Sequence, residues 1–304
     1  MVRIMKENTP IVRFKKNKSA MGALVVLIFI FVICIGSVYW AVERYQVQDL
    51  SMNNHPPQLA IGHPDNEFAP FGFDAIGRNL VSRCSFGGLV SLGIGLVAAI
   101  ISVVTGTFWG AIAGWYGGRI DNVMMRIVDV LYGLPYVLML ILLKFAFESK
   151  LVELFGGNDE IANVVMLFMA IGGVSWMTMA RVIRGQVLSL KERPFIEAAN
   201  ALGLSTPRIF FRHLLPNLVG PIIVYATLTV PQAILQESFL SFLGIGIKAP
   251  VPSWGSLCAE GVKAFNHIDV HWWMVLFPCL CLGGTLLCLN FIGDGLRDAF
   301  EPTS

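Results

Sequence analysis

The sequence predicts an all-α integral membrane protein with six transmembrane helices. Hydrophobic residues make up 55% of the 304 residues, charged residues make up only 14%, and the mean hydropathy is +0.68. Soluble domains carry roughly 25% charged residues, so much of the surface of this chain must face lipid. The same composition excludes a disordered chain, a nucleic-acid-binding protein and a secreted disulfide scaffold.

Six apolar stretches with few or no charges are the candidate spans, because about 20 apolar residues cross a bilayer core. In chain order they are 19–42, 84–118, 124–147, 161–180, 214–236 and 270–293. The third is the weakest, since Arg126 and Asp129 lie near one end. A signal peptide is the alternative for the first. That run is longer than a signal core and ends in Tyr39-Trp40, which suits a retained anchor at a membrane interface.

The distribution of basic residues predicts the orientation. With six spans, the side that holds the N-terminal segment carries 15 Lys and Arg residues, and the opposite side carries seven. Basic residues accumulate in cytoplasmic loops, so both termini are predicted to be cytoplasmic. The chain then divides into a basic tail (1–18), the first transmembrane helix (19–42), an external segment (43–85), a five-helix unit (86–294) with a cytoplasmic loop at 181–213, and a cytoplasmic tail (295–304).

Motifs for catalysis or phosphate binding are missing from the sequence. It contains no Gly-x-Ser-x-Gly, no His-Glu-x-x-His and no Gly-x4-Gly-Lys-Ser/Thr. We therefore expect no enzyme activity, no metal site and no cofactor bound by this chain. The span centres also lack ionisable residues, which disfavours an ion-coupled secondary transporter. Of the six cysteines, Cys84 and Cys258 both fall outside and could pair.

The cytoplasmic loop contains a short helix pattern with clear limits. Pro194 suits the first turn of this helix and Gly203 suits its C-terminal cap. The helix carries small residues at Ala198, Ala199 and Ala201. A helix with such a face fits a groove on another protein or packs on its own subunit, and these residues alone favour neither.

This loop resembles the EAA loop of ABC import permeases. Glu197-Ala198-Ala199, Gly203 and Leu215-Pro216 reproduce the pattern EAA-x3-G-x9-I-x-LP, with His213 at the position of the isoleucine. In that family the loop forms a coupling helix that docks on an ATP-binding subunit. The resemblance therefore implies an ATPase-coupling role for eight residues: Glu197, Ala198, Ala199, Ala201, Gly203, His213, Leu215 and Pro216.

Three further segments are similar to the second permease of the dipeptide/oligopeptide/nickel branch of that family. They are ESFLSFLG at 237–244 with PSWG at 252–255, NFIGDGLRD at 290–298, and GFDAIGRN at 72–79 followed by Ser82-Arg83. The last segment departs from the family pattern at Phe73 and Asn79, which stand in place of Thr and Asp. The resemblance covers about residues 70–302 and implies the type I ABC importer transmembrane fold.

The resemblance also implies partners and cargo. It implies a heterodimer with a homologous permease, two ATP-binding subunits that hold ATP and Mg, and an extracytoplasmic substrate-binding protein, in the cytoplasmic membrane of a bacterium or archaeon. Di- and oligopeptides are the expected cargo, and nickel chelates, glutathione and antimicrobial peptides are the alternatives. The translocation path is expected between the two permeases, along the second to fifth spans. Four polar residues are candidates to line it: Thr105, Ser175, Thr178 and Thr229.

Overall fold

The computed structural model describes residues 9–57, 69–265 and 269–300, and most of these residues are helical. The α-helices are α1 (Pro10–Lys16), α2 (Lys18–Gly36), α3 (Val38–Arg44), α4 (Leu80–Ile101), α5 (Thr107–Tyr116), α6 (Gly118–Tyr132), α7 (Tyr136–Leu154), α8 (Asp159–Lys191), α9 (Pro194–Ala201), α10 (Thr206–Ile209), α11 (Leu215–Phe242), α12 (Trp254–Lys263) and α13 (Trp273–Phe300). Parts of the predicted basic tail, external segment and C-terminal tail, at 1–8, 58–68 and 301–304, lie outside the described residues.

Five helical stretches of the described chain are long and apolar enough to cross a membrane. They are Lys18–Gly36, Leu80–Tyr116, Asp159–Lys191, Thr206–Phe242 and Trp273–Phe300. Two of them, Leu80–Tyr116 and Thr206–Phe242, are continuous because short π-helical turns join α4 to α5 and α10 to α11. The predicted all-α membrane fold is confirmed, and five of the six predicted spans correspond to these stretches.

The third predicted span, 124–147, is not one straight helix. It consists of α6 and α7, which meet at an angle of 94°. Pro135 lies between them, and a proline disfavours helical backbone at the residue before it and cannot supply a helical N–H. The described chain therefore has six spans only if this bent pair is counted as one.

α8 is packed tightly against the continuous helix α4–α5. Three glycines spaced by four residues make this approach possible. A Cβ at each would collide with α8: Gly106 with Met179, Gly110 with Ala180, and Gly114 with Val187. Packing without side chains on one partner lets two helix backbones come close inside a membrane. The contact fixes α8, which carries the candidate path residues Ser175 and Thr178, within the five-helix unit.

The N-terminal helices pack on the last helix. α2 lies along α13, where Ala23 and Cys288 are buried together. Phe14 of α1 packs against the same cluster. Because α13 continues to Phe300, it runs past the boundary that the sequence predicted at residue 294.

A buried ion network holds the end of the bundle that lies opposite residues 192–214. Arg83, with a side chain only 1% exposed, donates to Asp74 at 2.7 Å and to Glu260 at 2.6 Å. Arg78 pairs with the same Asp74 at 2.6 Å. The network joins the chain before α4 to the first turn of α4 and to α12.

Segments that carry the branch resemblance also meet at this end. The hydroxyl of Ser253 donates to Oε1 of Glu237 at 2.6 Å. The indole of Trp254 donates to the carbonyl of Cys84 at 2.9 Å, next to the Ser82-Arg83 pair. The motifs at 72–83, 237–244 and 252–255 therefore belong to one packed unit.

All six cysteines are free thiols. Cys258 lies 3.4 Å from Cys279, sulfur to sulfur, and no disulfide joins it to Cys84. Burial raises the pKa of the Cys258 thiol. Because the thiolate is the reactive form, this burial disfavours oxidation of Cys258.

Candidate functional site

α9 begins and ends where the sequence predicts. Residues 192–214, between the end of α8 and the start of α11, are called the EAA loop below. Pro194 occupies the first turn of α9, where its missing N–H needs no partner. The helix is capped at Leu202, and Gly203 follows with φ +73°. Glycine adopts this left-handed conformation without the strain of a Cβ.

Gly203 completes a Schellman cap. Its N–H donates to the carbonyl of Asn200 at 2.9 Å, and the N–H of Leu204 donates to the carbonyl of Ala199 at 3.2 Å. Leu204 and Ala199 also pack in one apolar cluster. The cap therefore fixes the direction in which the chain leaves α9.

The inner face of α9 packs on its own chain. Ile196 and Ala199 are buried in a cluster with Ile209 and Leu214, and Trp115 at the end of α5 packs against it. The face of small residues that could enter a groove on a partner is therefore divided. Ala199 contributes to the core of the EAA loop itself, and its predicted role in ATPase coupling stays a prediction.

The outer face of α9 carries Glu197, Ala198 and Ala201, and all three are exposed. Sequence reasoning missed the exposure of two large apolar side chains beside them: Leu202 is 80% exposed and Phe195 is 41% exposed. In the sequence, Leu202 stands in a polar loop directly before Gly203, the predicted end of the helix. This position could have indicated that its side chain is exposed. Leu202 and Phe195 therefore add exposed apolar surface to this short helix.

The last three motif residues form the junction with the next span. His213 lies half-buried in the π-helical turn Phe210–Leu214. Its carbonyl accepts a hydrogen bond from the side-chain amide of Asn217 at 2.6 Å. Leu215 and Pro216 form the first turn of α11. These three residues lie at the junction between the EAA loop and α11, and their predicted role in ATPase coupling stays a prediction.

Three of the four polar candidates for the translocation path line one cavity. This central cavity has a volume of about 380 Å³ and lies between the α6–α7 bend, α8 and α11. Ser175, Thr178 and Thr229 belong to its wall, whereas Thr105 lies outside it. The hydroxyl of Thr105 donates to the carbonyl of Ile101 at 2.6 Å.

The wall of the central cavity combines apolar side chains with uncharged polar ones. Its other polar side chains are Tyr132, Tyr136, Tyr225, Gln232 and Gln236. Some hydroxyls are used locally, since Thr229 donates to the carbonyl of Tyr225 at 2.8 Å. Oε1 of Gln236 is buried and has no hydrogen-bond partner among the described residues. Such a wall can exchange hydrogen bonds with a solute, but it has no charge with which to hold an ion.

A second cavity, the arginine cleft, has a volume of about 900 Å³. It is lined by Asn122, Met125, Arg126, Asp129, Val130, Arg181 and Arg184. Arg181 donates to Asp129 at 2.7 Å, and Arg184 makes two bonds to Asp121 at 2.5 and 2.6 Å. These pairs tether α6 to α8. Across the described chain, no group of three or more His, Cys, Asp or Glu side chains is arranged to hold a metal ion.

Two family models match the chain. Residues 106–303 match the model described as the binding-protein-dependent transport system inner membrane component, and residues 11–57 match the N-terminal transmembrane domain of oligopeptide transport permease C. The chain is 41% identical to the oligopeptide transport system permease protein OppC of Haemophilus influenzae, over 95% of this chain and 86% of the relative.

Other relatives agree with this match. Identity is 43% to OppC of Escherichia coli K12, over 95% of this chain and 89% of the relative. It is 41% to the dipeptide transport system permease protein DppC of Bacillus subtilis, over 95% and 83%. A structure of the MetNI methionine ABC transporter superposes with a TM-score of 0.55 at 16% identity, over 70% of this chain and 94% of that chain. The shared fold is the predicted transmembrane fold of type I ABC importers.

Proposed function

Because the chain belongs to the family of binding-protein-dependent transport system inner membrane components, and is a multi-pass permease of the oligopeptide and dipeptide ABC type, we propose that it carries di- and oligopeptides. It does so together with a homologous permease, and the translocation path runs between the two. Two ATP-binding subunits hold ATP and Mg, and one of them docks on the EAA loop of this chain. An extracytoplasmic binding protein delivers the cargo at the opposite end.

The outer face of α9 is the observation that carries the docking proposal. Its apolar tip, Leu202, is 80% exposed, yet the helix beneath it is fixed by the Gly203 cap and by the buried Ile196. A surface that is already ordered loses little entropy on binding. Burying one leucine fully contributes about 1.5–3 kcal/mol. The face is thus suited to enter a groove on an ATP-binding subunit.

Basic residues at the same end support a cytoplasmic location for the EAA loop. Arg193, Arg208 and Arg212 all lie within it, and Lys and Arg accumulate in cytoplasmic loops. With the described spans and the bent pair counted as six, both termini lie on the same side as this loop.

The central cavity supports a peptide cargo. Its volume of about 380 Å³ falls within the roughly 300–1,000 Å³ of typical small-molecule sites. Hydroxyl and amide groups on its wall can bind peptide amides, and a neutral hydrogen bond contributes only about 0.5–1.5 kcal/mol. Weak, uncharged contacts suit a path through which peptides of different sequence must pass. Nickel chelates, glutathione and antimicrobial peptides are the alternative cargoes, carried on the same architecture.

Reconstitution of the complete transporter in proteoliposomes tests both the docking site and the peptide cargo. We expect ATP-dependent uptake of trialanine that depends on the binding protein, and competition by other short peptides. Leu202→Glu should abolish copurification of the ATP-binding subunits, whereas Leu50→Glu should not. Leu50 is a matched control because it is 75% exposed at the opposite end of the bundle.

Equal ATPase copurification with both variants would overturn the docking site. Uptake that is blocked by a nickel chelate or by glutathione, but not by peptides, would overturn the peptide cargo.

A further inference from the structure

The arginine cleft follows the central cavity along the same two helices. On α8 the cavity wall extends to Met179 and the cleft begins at Arg181. On α6 the cleft extends to Val130 and the cavity wall begins at Leu131. A solute that leaves the cavity toward the EAA loop therefore meets the cleft next, where the wall changes from neutral to charged.

Arg181 stands at this boundary. Its Nη2 donates to Oδ1 of Asp129 at 2.7 Å, and its guanidinium lies 4.1 Å from the ring centre of Tyr132 in the cavity wall. The bond to Asp129 is the one hydrogen bond that Arg181 makes to a described side chain, and a guanidinium has five N–H donors. The side chains of Arg181 and Asp129 are 39% and 62% exposed. The remaining donors of Arg181 are therefore open to a solute in the cleft.

The other two arginines of the cleft differ from Arg181. Arg184 forms two hydrogen bonds with Asp121, whose side chain is only 9% exposed. This ion pair joins α6 to α8 and leaves Arg184 less available to a solute. Arg126 lines the cleft, is exposed and forms no ion pair with a described residue. Three guanidinium groups thus face two carboxylates, and the cleft keeps a net positive charge.

We propose that Arg181, together with Arg126, forms an anion site that receives the C-terminal carboxylate of a peptide as it leaves the central cavity. The inference rests on the proposed peptide cargo. Exposed ion pairs contribute little to stability, so a peptide carboxylate can replace Asp129 at Arg181 with little loss. The planar guanidinium then offers the carboxylate two parallel N–H donors, which is a stronger arrangement than its single bond to Asp129.

The test uses the complete transporter in proteoliposomes, with trialanine and trialanine amide as cargo. Each peptide is supplied at a concentration that saturates the isolated binding protein. Arg181→Gln removes the charge, Arg181→Lys keeps it, and Asp129→Asn frees Arg181 from its partner. Arg119→Gln is the matched control, because Arg119 is exposed on α6 but does not line the cleft.

We expect Arg181→Gln to lower trialanine uptake about tenfold, the size of one lost charge-assisted hydrogen bond, while uptake of the amide changes little. Arg181→Lys should retain part of the trialanine uptake, because a point charge binds a carboxylate without the bidentate geometry. Asp129→Asn should raise trialanine uptake modestly, because the peptide carboxylate no longer has to displace Asp129 from Arg181. Arg119→Gln, outside the cleft, should transport trialanine as the wild type does.

Two results would overturn the anion site while leaving the peptide cargo intact. One is equal trialanine uptake by the wild type and Arg181→Gln. The other is an equal loss in Arg181→Gln and Asp129→Asn for both peptides, which would make the ion pair a tether between α6 and α8.

A wild-type transporter that imports neither peptide would overturn the cargo and the site together, so the two failures are distinguishable. If Arg181→Gln does not accumulate in membranes, the same uptake measurements on Arg126→Gln test the anion site instead. A normal ratio of trialanine to trialanine amide uptake in that variant would overturn the site.

Discussion

Replacing Gly203 with valine should weaken ATPase docking without unfolding the protein. Gly203 has φ +73°, and a Cβ built on it would meet no atom within 4 Å. A clash of the added Cβ with the rest of the protein is therefore excluded, and the strain of the left-handed backbone is the main expected effect. That strain amounts to about 1–2 kcal/mol for an L residue, and a β-branched side chain tolerates this region least.

The strain acts on the cap and thus on the direction of the EAA loop. The two cap bonds, from the N–H groups of Gly203 and Leu204, hold the chain back against the end of α9. A penalty of 1–2 kcal/mol lowers the population of the capped form by a factor of about 5–30. Affinity for the ATP-binding subunits should fall by up to the same factor. Because the apolar spans are unchanged, membrane abundance should stay normal.

The assay is a titration of purified ATP-binding subunits onto the permease pair in nanodiscs. It gives a Kd for the wild type, Gly203→Val and Gly203→Asn. Asparagine tolerates the left-handed conformation, so Gly203→Asn should bind close to the wild-type Kd. Wild-type binding by Gly203→Val, or equal weakening by both variants, would refute the reasoning, since backbone conformation would then not determine docking.

Three further pairs of results test other parts of the structure. Ala198→Trp, on the exposed face of α9, should abolish ATPase copurification and leave the thermal stability normal. Ala199→Trp, on the buried face, should instead destabilise the solubilised permease by about 1–3 kcal/mol through overpacking. Equal effects of the two variants would contradict the division of α9 into two faces. Gln236→Leu should lower peptide uptake about fivefold, the effect of losing one neutral hydrogen bond to the cargo. The stability of the permease should be unchanged or higher, because the variant removes a buried oxygen that has no partner among the described residues. Normal uptake would place Gln236 outside the translocation path. Arg83→Gln should lower the free energy of unfolding by about 3 kcal/mol because it breaks a buried ion network. Lys248→Gln, which breaks a partly exposed ion pair, should lower it by less than about 1 kcal/mol. Similar thermal unfolding of the two variants in detergent would argue against a stabilising role of the Arg83 network.

Local signals explain what the sequence predicted well. The limits of α9 depend on Pro194 and Gly203, whose preferences act within one helical turn. The spans depend on the apolar content of about 20 consecutive residues, which needs no knowledge of the neighbours. The third span shows the limit of that rule. Apolar content alone does not register the geometric effect of Pro135, which divides the stretch into two helices.

The division of α9 into two faces could not be predicted from local signals. Ala198 and Ala199 are adjacent and chemically identical, and the sequence gives no reason to separate them. What separates them is the cluster formed by Ile209 and Leu214, ten or more residues further along the chain. Their position relative to α9 depends on the Gly203 cap and on the turn that follows it. The central cavity is similar, since its polar wall combines side chains from helices far apart in the sequence.

One helix connects the cavity, the cleft and the EAA loop. α8 lines the central cavity at Ser175, carries Arg181 in the cleft and continues without a break to Lys191, where the EAA loop begins. Lys191 donates to the carbonyl of Trp115 at 2.7 Å, and the glycine contact fixes α8 to α5. A movement of the EAA loop must therefore carry both helices or break these contacts.

The bidentate ion pair between α6 and α8 extends the connection to α6, whose last turn lines the cavity. If an ATPase subunit docks on the EAA loop as proposed, these packed contacts, hydrogen bonds and ion pairs form a contiguous physical connection from the docking site to the central cavity.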